Sequence, residues 1–508
     1  MTSSVHSFGN LCMQSFPVLV ECIVTGLTNS SFDVVGLPDA AVRESRERVR
    51  AACENLGFLF PSGRITVNLS PADTKKEGAV YDLPILLAVL IASDQFDYDI
   101  SDAAFLGEIT LGGDVLPVRG VLPMALEAKK KGIKRLFVPF GNAAEASVAE
   151  GPEIYPVKNI MQLLDCLSGR EKINPVKMSD FHFDNSISSA DFADVRGQEI
   201  VRRAVEVAAA GGHNLLMVGS PGSGKSMLAK RIPSILPDMT FDESLETTKI
   251  HSVAGTLPQG LPLITTRPFR SPHHTVSAAA LSGGGRIPRP GEISLSHNGV
   301  LFLDELPEYR SDAMEVLRQP LEDGNVTVSR VSGSFTFPSS VLLVAAMNPC
   351  KCGYFGHPTR KCTCSPQSVK NYLSRVSGPL LDRIDIQVET SPVEYDQLSS
   401  SKTGEPSEKI RERVNRARKL QQERYEGLGF SCNARITPAY LRKVCPMTEA
   451  ADALLRMVFS EMEMSARGYD RVMKVARTVA DLDGSELIKE DHIMEAVQYR
   501  KLDRKFWG

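Results

Sequence analysis

The octapeptide Gly219-Ser220-Pro221-Gly222-Ser223-Gly224-Lys225-Ser226 has the residue types and spacing that wrap a polyphosphate. Its glycines let successive backbone N–H groups turn toward one anion. Lys225 would reach the terminal phosphates, and the Ser226 hydroxyl would join the shell of a Mg2+ ion. The apolar run Asn214–Val218 before it reads as a buried strand, and Met227–Lys230 after it can open a helix. Strand, loop and helix in that order put the positive end of a helix beneath the phosphates. A second apolar strand, Gly299–Leu303, ends in Asp304-Glu305. Asp304 would hold the Mg2+ shell, and Glu305 would polarise a water that attacks the last phosphate. A third, Val341–Met347, ends in Asn348, a polar group able to hold that water.

Two further groups of residues invite chemistry. Cys350, Cys352, Cys362 and Cys364 form two C-x-C pairs separated by nine residues. Four thiolates so spaced can converge on one tetrahedral Zn2+, with His357 a substitute ligand. Polar neighbours (Lys351, Tyr354, Lys361, Thr363) favour a metal over buried free thiols. The second group is basic. Arg270, Arg286 and Arg289 lie among glycines and prolines, where loops are exposed. The alternating segment Gly324–Phe337 reads as a β-hairpin about Ser332-Gly333, with Arg330 near its tip, able to meet a nucleic-acid phosphate. His273-His274 reads as a pair of loop histidines rather than a metal site.

These residues need a scaffold, and the chain is long enough to build one. It has 508 residues, 42% apolar and 23% charged, which suits a soluble protein of about three domains. We place a first block at 1–167, a polar linker at 168–190, a middle block of alternating strands and helices at 191–390, and a helical block at 391–508. A net charge of -3 excludes a globally basic nucleic-acid coat but leaves room for a local basic channel. The longest apolar run, Leu83–Ser93, is too short to cross a bilayer. Residues 1–42 carry no Lys or Arg, so a secretory leader is not expected, and the ten cysteines are expected reduced or metal-bound in a cytoplasmic protein.

The order of the phosphate loop, the Asp-Glu strand and the Asn348 strand resembles an AAA+ ATPase core. Asp191–Gln198 is similar to the segment that lines the adenine in such proteins, which implies Gln198 at the nucleotide. Ser377–Asp385 resembles the arginine-finger region of the magnesium-chelatase and MCM branch, which implies that Arg383 reaches a neighbouring subunit's ATP. Ser465–Arg471 resembles the sensor 2 helix, with Arg467 as its arginine and Arg471 as the alternative. Phe269–Thr275 and Gly283–Ile293 are similar to the ComM/YifB group of magnesium-chelatase-like ATPases, and that resemblance spans essentially the whole chain. It implies an ATP- and Mg2+-dependent hexameric motor on single-stranded, forked or branched DNA, independent of sequence. It further implies helicase or branch-migration activity during recombination of incoming DNA in natural transformation.

Asn68–Pro84 and Gly107–Gly120 resemble the Lon protease fold, which raises a protease reading. Lon chemistry needs a Ser nucleophile and a Lys base. Those positions fall on Val80 and Leu122, so the first block is expected to be a non-catalytic docking or DNA-binding platform. The expected fold is therefore α/β: a Lon-protease-like α+β N-terminal domain, an AAA+ P-loop parallel-sheet core and an α-helical C-terminal lid. A protein-remodelling or chelatase-type ATPase is the alternative function.

Overall fold

The computed structural model describes residues 2–26, 31–180, 190–285, 288–330, 333–391 and 404–507. The chain divides into two compact units, residues 1–184 with 241–265, and residues 185–240 with 266–508.

In the first unit, the strands are β1 (Thr2–Leu11), β2 (Gln14–Thr25), β3 (Ser31–Val35), β4 (Arg64–Ser70), β5 (Ala103–Phe105), β6 (Glu108–Ile109), β7 (Val115–Leu116), β8 (Arg135–Pro139) and β9 (Glu153–Val157). Seven of them form a mixed sheet in the order β3-β4-β2-β1-β5-β8-β9, and β6 pairs with β7 alone. Buried Ile65, Val67 and Leu69 alternate with less buried residues along β4, the signature of a sheet with one covered face. The apolar run at Leu83 forms the helix Asp82–Ala92, whose residues are nearly all buried against this sheet. Val80 and Leu122 are themselves buried core residues, so neither offers a reactive group.

Residues 241–265 fall inside the middle block as sequence divides it, yet they pack with the first unit. The helix Phe241–Ala254 buries Ser244, Thr247, Thr248, Ile250, His251 and Ser252, a mostly polar face with no apolar stripe to read in advance. Leu245 and Leu263 join Leu122 and Val148 in a small apolar cluster. Beside it lies Glu145, whose carboxylate accepts from Leu122 N–H at 3.2 Å, Asn142 Nδ2 at 2.6 Å and the Ser252 hydroxyl. Burial pushes its carboxyl above the ordinary value, and the three donors pull the other way.

The second unit carries β10 (Leu215–Gly219), β11 (Phe269–Arg270), β12 (Gly283–Gly284), β13 (Arg289–Pro290), β14 (Val300–Leu303), β15 (Asn325–Arg330), β16 (Gly333–Pro338), β17 (Leu342–Met347) and β18 (Ile386–Thr390). A five-stranded parallel sheet runs β11-β14-β17-β10-β18. Every residue of β10, β14 and β17 is buried, which is why these strands are continuous apolar runs in the sequence. In parallel sheets the loops at the carboxyl ends of the strands form the ligand site. Helices Ser407–Arg424, Pro438–Val444, Glu449–Glu461, Ala466–Leu482 and Glu490–Gln498 make up the C-terminal region. Buried Asp481 joins the first of them to the fourth and to the turn at Asn433, accepting from Arg424 at 2.6 Å, Arg477 at 3.0 Å and Asn433 at 2.8 Å. Among the described residues, no helix is long and apolar enough to cross a membrane.

Glu145 generates a prediction about the first unit. Glu145→Ala removes the acceptor shared by three donors in a buried site and should cost about 1–3 kcal/mol of stability. Chemical denaturation followed through that unit's transition would measure it, and an unchanged midpoint would contradict the role given to the carboxylate.

Candidate functional site

β10 ends in the glycine loop, and the helix Lys225–Arg231 begins at its last residues. Gly224 has φ +85° and Gly222 φ +78°, a left-handed region that glycine enters without strain. Nothing lies within 4 Å of the place where a Cβ of Gly222 would stand, so the loop rims an open cradle. Lys225 is buried, and its Nζ donates to Gly219 O at 2.7 Å, Ser220 O at 3.0 Å and Asn348 Oδ1 at 3.2 Å. Burial lowers its pKa, while the carboxylates of Asp304 and Glu305 oppose that shift. Ser223 Oγ shares a 2.7 Å hydrogen bond with Thr390 Oγ1, which pins the loop to the end of β18. Gln198 donates from Nε2 to Ser223 O at 2.7 Å, while its buried Oε1 has no partner among the described residues.

Asp304 and Glu305 follow β14 directly. Ser226 Oγ donates to Asp304 Oδ2 at 2.6 Å, so a hydroxyl and a carboxylate already face one point, a hard-oxygen donor pair that suits Mg2+. The fit of the cradle to a Mg2+–nucleotide thus rests on three features: the open glycine rim, the buried ammonium and this donor pair. Glu305 has φ +52°, a turn that swings its carboxylate out of the strand. His274 Nδ1 lies 3.5 Å from Glu305 Oε2, and Tyr309 Oη donates to Pro272 O at 2.6 Å to hold the histidine segment in place. His274 lies in a turn, as its loop-like sequence predicts. Its partner is 31 positions away, and no local pattern signals that contact.

The other arginines sit elsewhere. β18 begins beside Leu215, the first residue of β10, and ends beside Gly219. Arg383 and Asp385 precede β18, so they stand at the opposite edge of the sheet from the glycine loop, roughly 13 Å away along the strands. A cavity of about 340 Å3 opens there, lined by Arg383, Arg467, Arg471, Lys474, Asp382 and Asp385 among others. Arg383 donates to Arg318 O at 3.1 Å and Pro379 O at 2.7 Å and pairs with Glu322. Arg467 and Arg471 approach Asp382 at 3.7 and 3.4 Å; Arg467 is two-thirds exposed and Arg471 buried. Burial would raise the Asp385 carboxyl, but the His213 hydrogen bond at 3.2 Å and the nearby Lys474 and Arg471 hold it below the usual range. The structure therefore groups Arg383, Arg467 and Arg471 with one another and not with the chain's own Lys225.

β15 and β16 form an antiparallel hairpin in which Arg330 pairs with Gly333; residues 331–332 at its turn lie outside the described residues. Arg330 is exposed, and its guanidinium lies against Gly284 of the β12–β13 ribbon, which also carries the exposed Arg289. Arg286 lies outside the described residues. Arg270, on edge strand β11, makes a two-bond pair with Glu292 at 2.7 and 2.8 Å, so its charge is already matched within the chain.

The four clustered cysteines come together. Sγ–Sγ distances are 3.3 Å (Cys350–Cys352), 3.7 Å (Cys350–Cys362) and 3.5 Å (Cys352–Cys362), and all four sulfurs lie within 4.8 Å of one another. His357 is not with them. Its Nδ1 accepts from the amides of Thr359 at 3.2 Å and Arg360 at 3.0 Å.

A parallel sheet with a phosphate loop, an Asp-Glu strand and a helical C-terminal region defines a P-loop protein of the AAA+ type. Comparison with known proteins narrows the class. The model of "Magnesium chelatase, subunit ChlI" matches residues 191–398, that of "Subunit ChlI of Mg-chelatase" residues 20–142, and that of its C-terminal region residues 404–500. The chain is 39% identical over 506 residues to the competence protein ComM of Haemophilus influenzae, covering 98% of this chain and 97% of that one. It is 40% identical over 512 residues to YifB of Escherichia coli K12, covering 99% and 97%. A magnesium-chelatase 67 kDa subunit of Chlorobaculum parvum is 29% identical over 164 residues, 31% of this chain and 23% of that one. The chain belongs to the ComM/YifB family of magnesium-chelatase-like AAA+ proteins.

Two substitutions separate binding from chemistry at the cradle. Lys225→Ala should abolish binding of a fluorescent ATP analogue. Glu305→Gln should bind it normally yet hydrolyse ATP at least ~100-fold more slowly. Normal turnover by the Gln variant would remove Glu305 from the water-activating role.

Proposed function

We propose that the protein is an ATP-driven motor that moves along DNA as a ring, a homo-hexamer, and promotes branch migration of recombining strands. The separation of the glycine loop from the arginine cluster across one sheet carries this reading. A chain whose Arg383 and Arg467 cannot reach its own phosphates can lend them to a neighbour's, and such head-to-tail pairing closes into a ring. Lys225 and the loop amides bind the β- and γ-phosphates, Ser226 and Asp304 hold Mg2+, and Gln198 faces the adenine side. Mg2+ supplies charge neutralisation on the phosphate oxygens. Glu305 accepts a proton from the attacking water, Asn348 orients that water, and the neighbour's Arg383 stabilises the charge that develops.

DNA would pass along the hairpin and ribbon that carry Arg330, Arg289 and Arg286. Arg270, clamped by Glu292, would hold the edge of that surface rather than meet phosphate. Contacts of this kind read backbone and not bases. The name of the Haemophilus relative, a competence protein, supports incoming single-stranded, forked or branched DNA as the substrate in natural transformation. We take the first unit as a non-catalytic Lon-like platform, the four thiolates as a Zn2+ site, and the cytoplasm as the working compartment.

The test is migration of a mobile four-way junction with ATP and Mg2+. Wild type should move it, and DNA should stimulate ATP hydrolysis. Arg330→Ala should keep basal hydrolysis but lose migration. Binding should weaken steeply with salt as neutralised phosphates release counterions. If wild type moves neither junctions nor forks and DNA leaves hydrolysis unchanged, the DNA-motor reading fails and a protein-remodelling or chelatase-type role replaces it. A separate check addresses the shared site: Arg383→Ala chains mixed into wild-type rings should depress activity more than their share, whereas strict additivity would contradict a finger supplied between subunits.

A further inference from the structure

The segment from Pro349 to Ser365 leaves β17 at Asn348 and reaches the helix Pro366–Leu373 without a strand or helix of its own. A loop of this length inside a compact unit needs something to fix it. Apolar burial does not supply that. Cys350 is buried, but Cys352, Cys362 and Cys364 are only partly so. Its internal backbone hydrogen bonds are short-range, such as Gly353 N–H to Cys350 O at 3.0 Å and His357 N–H to Tyr354 O at 3.2 Å. Among the described residues, the four sulfurs from its two ends meet at one point.

The spacing of those sulfurs has chemical meaning. Disulfides would bring pairs to about 2.05 Å, which none approaches. A tetrahedral ion with bonds of about 2.3 Å sets its sulfurs about 3.8 Å apart. Three of the separations, 3.3, 3.5 and 3.7 Å, lie close to that edge length. A set this tight suits one ion rather than an iron–sulfur cluster spread over several metals.

The same loop touches the phosphate cradle. Gly353 has φ +83°, and a Cβ there would stand 2.4 Å from Cδ of Pro221, inside the glycine loop. A crevice of about 390 Å3 beside the cradle is walled by Gly219 and Ser220 on one side and by Pro349, Gly353, Phe355 and His357 on the other. Asn348, immediately before the loop, accepts from Lys225.

We propose that Cys350, Cys352, Cys362 and Cys364 bind one Zn2+ and that this ion holds Gly353 against Pro221 and Asn348 against Lys225, so that nucleotide binding depends on the metal. This rests on the cradle being the ATP site. Zn2+ has no part in phosphoryl transfer here; it sets the shape of the loop that borders the phosphates. Loss of the ion by chelation or thiol oxidation would let the loop leave Pro221 and slacken the site.

The experiment uses the full chain purified without chelator. Elemental analysis should give about one zinc per chain and negligible iron. Stripping the zinc, or the pair Cys362→Ser/Cys364→Ser, should weaken binding of a fluorescent ATP analogue ~10-fold or more, and reloading the stripped protein should restore it. Gly353→Ala should keep the zinc and still weaken binding, because it pushes the loop off Pro221 with all four thiols intact. Circular dichroism on the serine variant and on the stripped protein separates local slackening from unfolding. Absence of zinc, or iron in its place, overturns the site. Full zinc with unchanged nucleotide affinity after stripping and in Gly353→Ala overturns the coupling. Unaltered nucleotide binding by Lys225→Ala would instead defeat the cradle reading, whatever the zinc content.

Discussion

Lys225 carries its ammonium into a site from which most water is removed, and four oxygens replace that water: Gly219 O, Ser220 O, Ser223 Oγ and Asn348 Oδ1. A buried charge so held is costly unless each partner stays in register. The partners close or follow two strands, β10 and β17, locked side by side by parallel pairing from Leu215 with Val344 to Val218 with Met347. Slide one strand by a residue and Asn348 leaves the ammonium. The continuous apolar character of these strands and the glycine turn both serve that single arrangement. An arriving γ-phosphate would exchange a neutral set of acceptors for a fully charged one, which is the energetic basis for binding.

The parallel sheet has a second consequence. Parallel strands bring all their carboxyl ends to one edge and all their amino ends to the other. The glycine loop, Asp304-Glu305 and Asn348 follow the carboxyl ends of β10, β14 and β17, whereas Arg383 precedes the amino end of β18. One chain thus presents its glycine loop at one edge and its arginine cluster at the other. The Asp382 pairs with Arg467 and Arg471 place the helix Ala466–Leu482 with Arg383 rather than over Lys225.

Much of this was legible in the sequence because the informative residues are contiguous. The phosphate loop, the Asp-Glu strand end, the hairpin and the four cysteines each declare themselves within a short window. What could not be read were contacts between windows. His274 meets Glu305, Thr390 meets Ser223 and Glu292 neutralises Arg270. No period or motif encodes those meetings, because they arise only when strands distant in the chain become neighbours. The helix Phe241–Ala254 was hidden for a different reason. It buries serines, threonines and a histidine, so it carries no apolar stripe to show that it packs with the first unit. Arg467 and Arg471 stand one turn apart on the same helix, and only their burial distinguishes the exposed arginine from the buried one.

In the proposed ring, catalysis needs two chains, one giving the cradle and the next giving the arginines. The most direct measurement is ATP hydrolysis per chain as the protein is diluted through its dissociation range, with mass followed in parallel and nucleotide binding measured on the same samples. Activity per chain should collapse as rings dissociate, while the separated chain still binds ATP through Lys225. Constant activity per chain at concentrations where the protein is monomeric would contradict it.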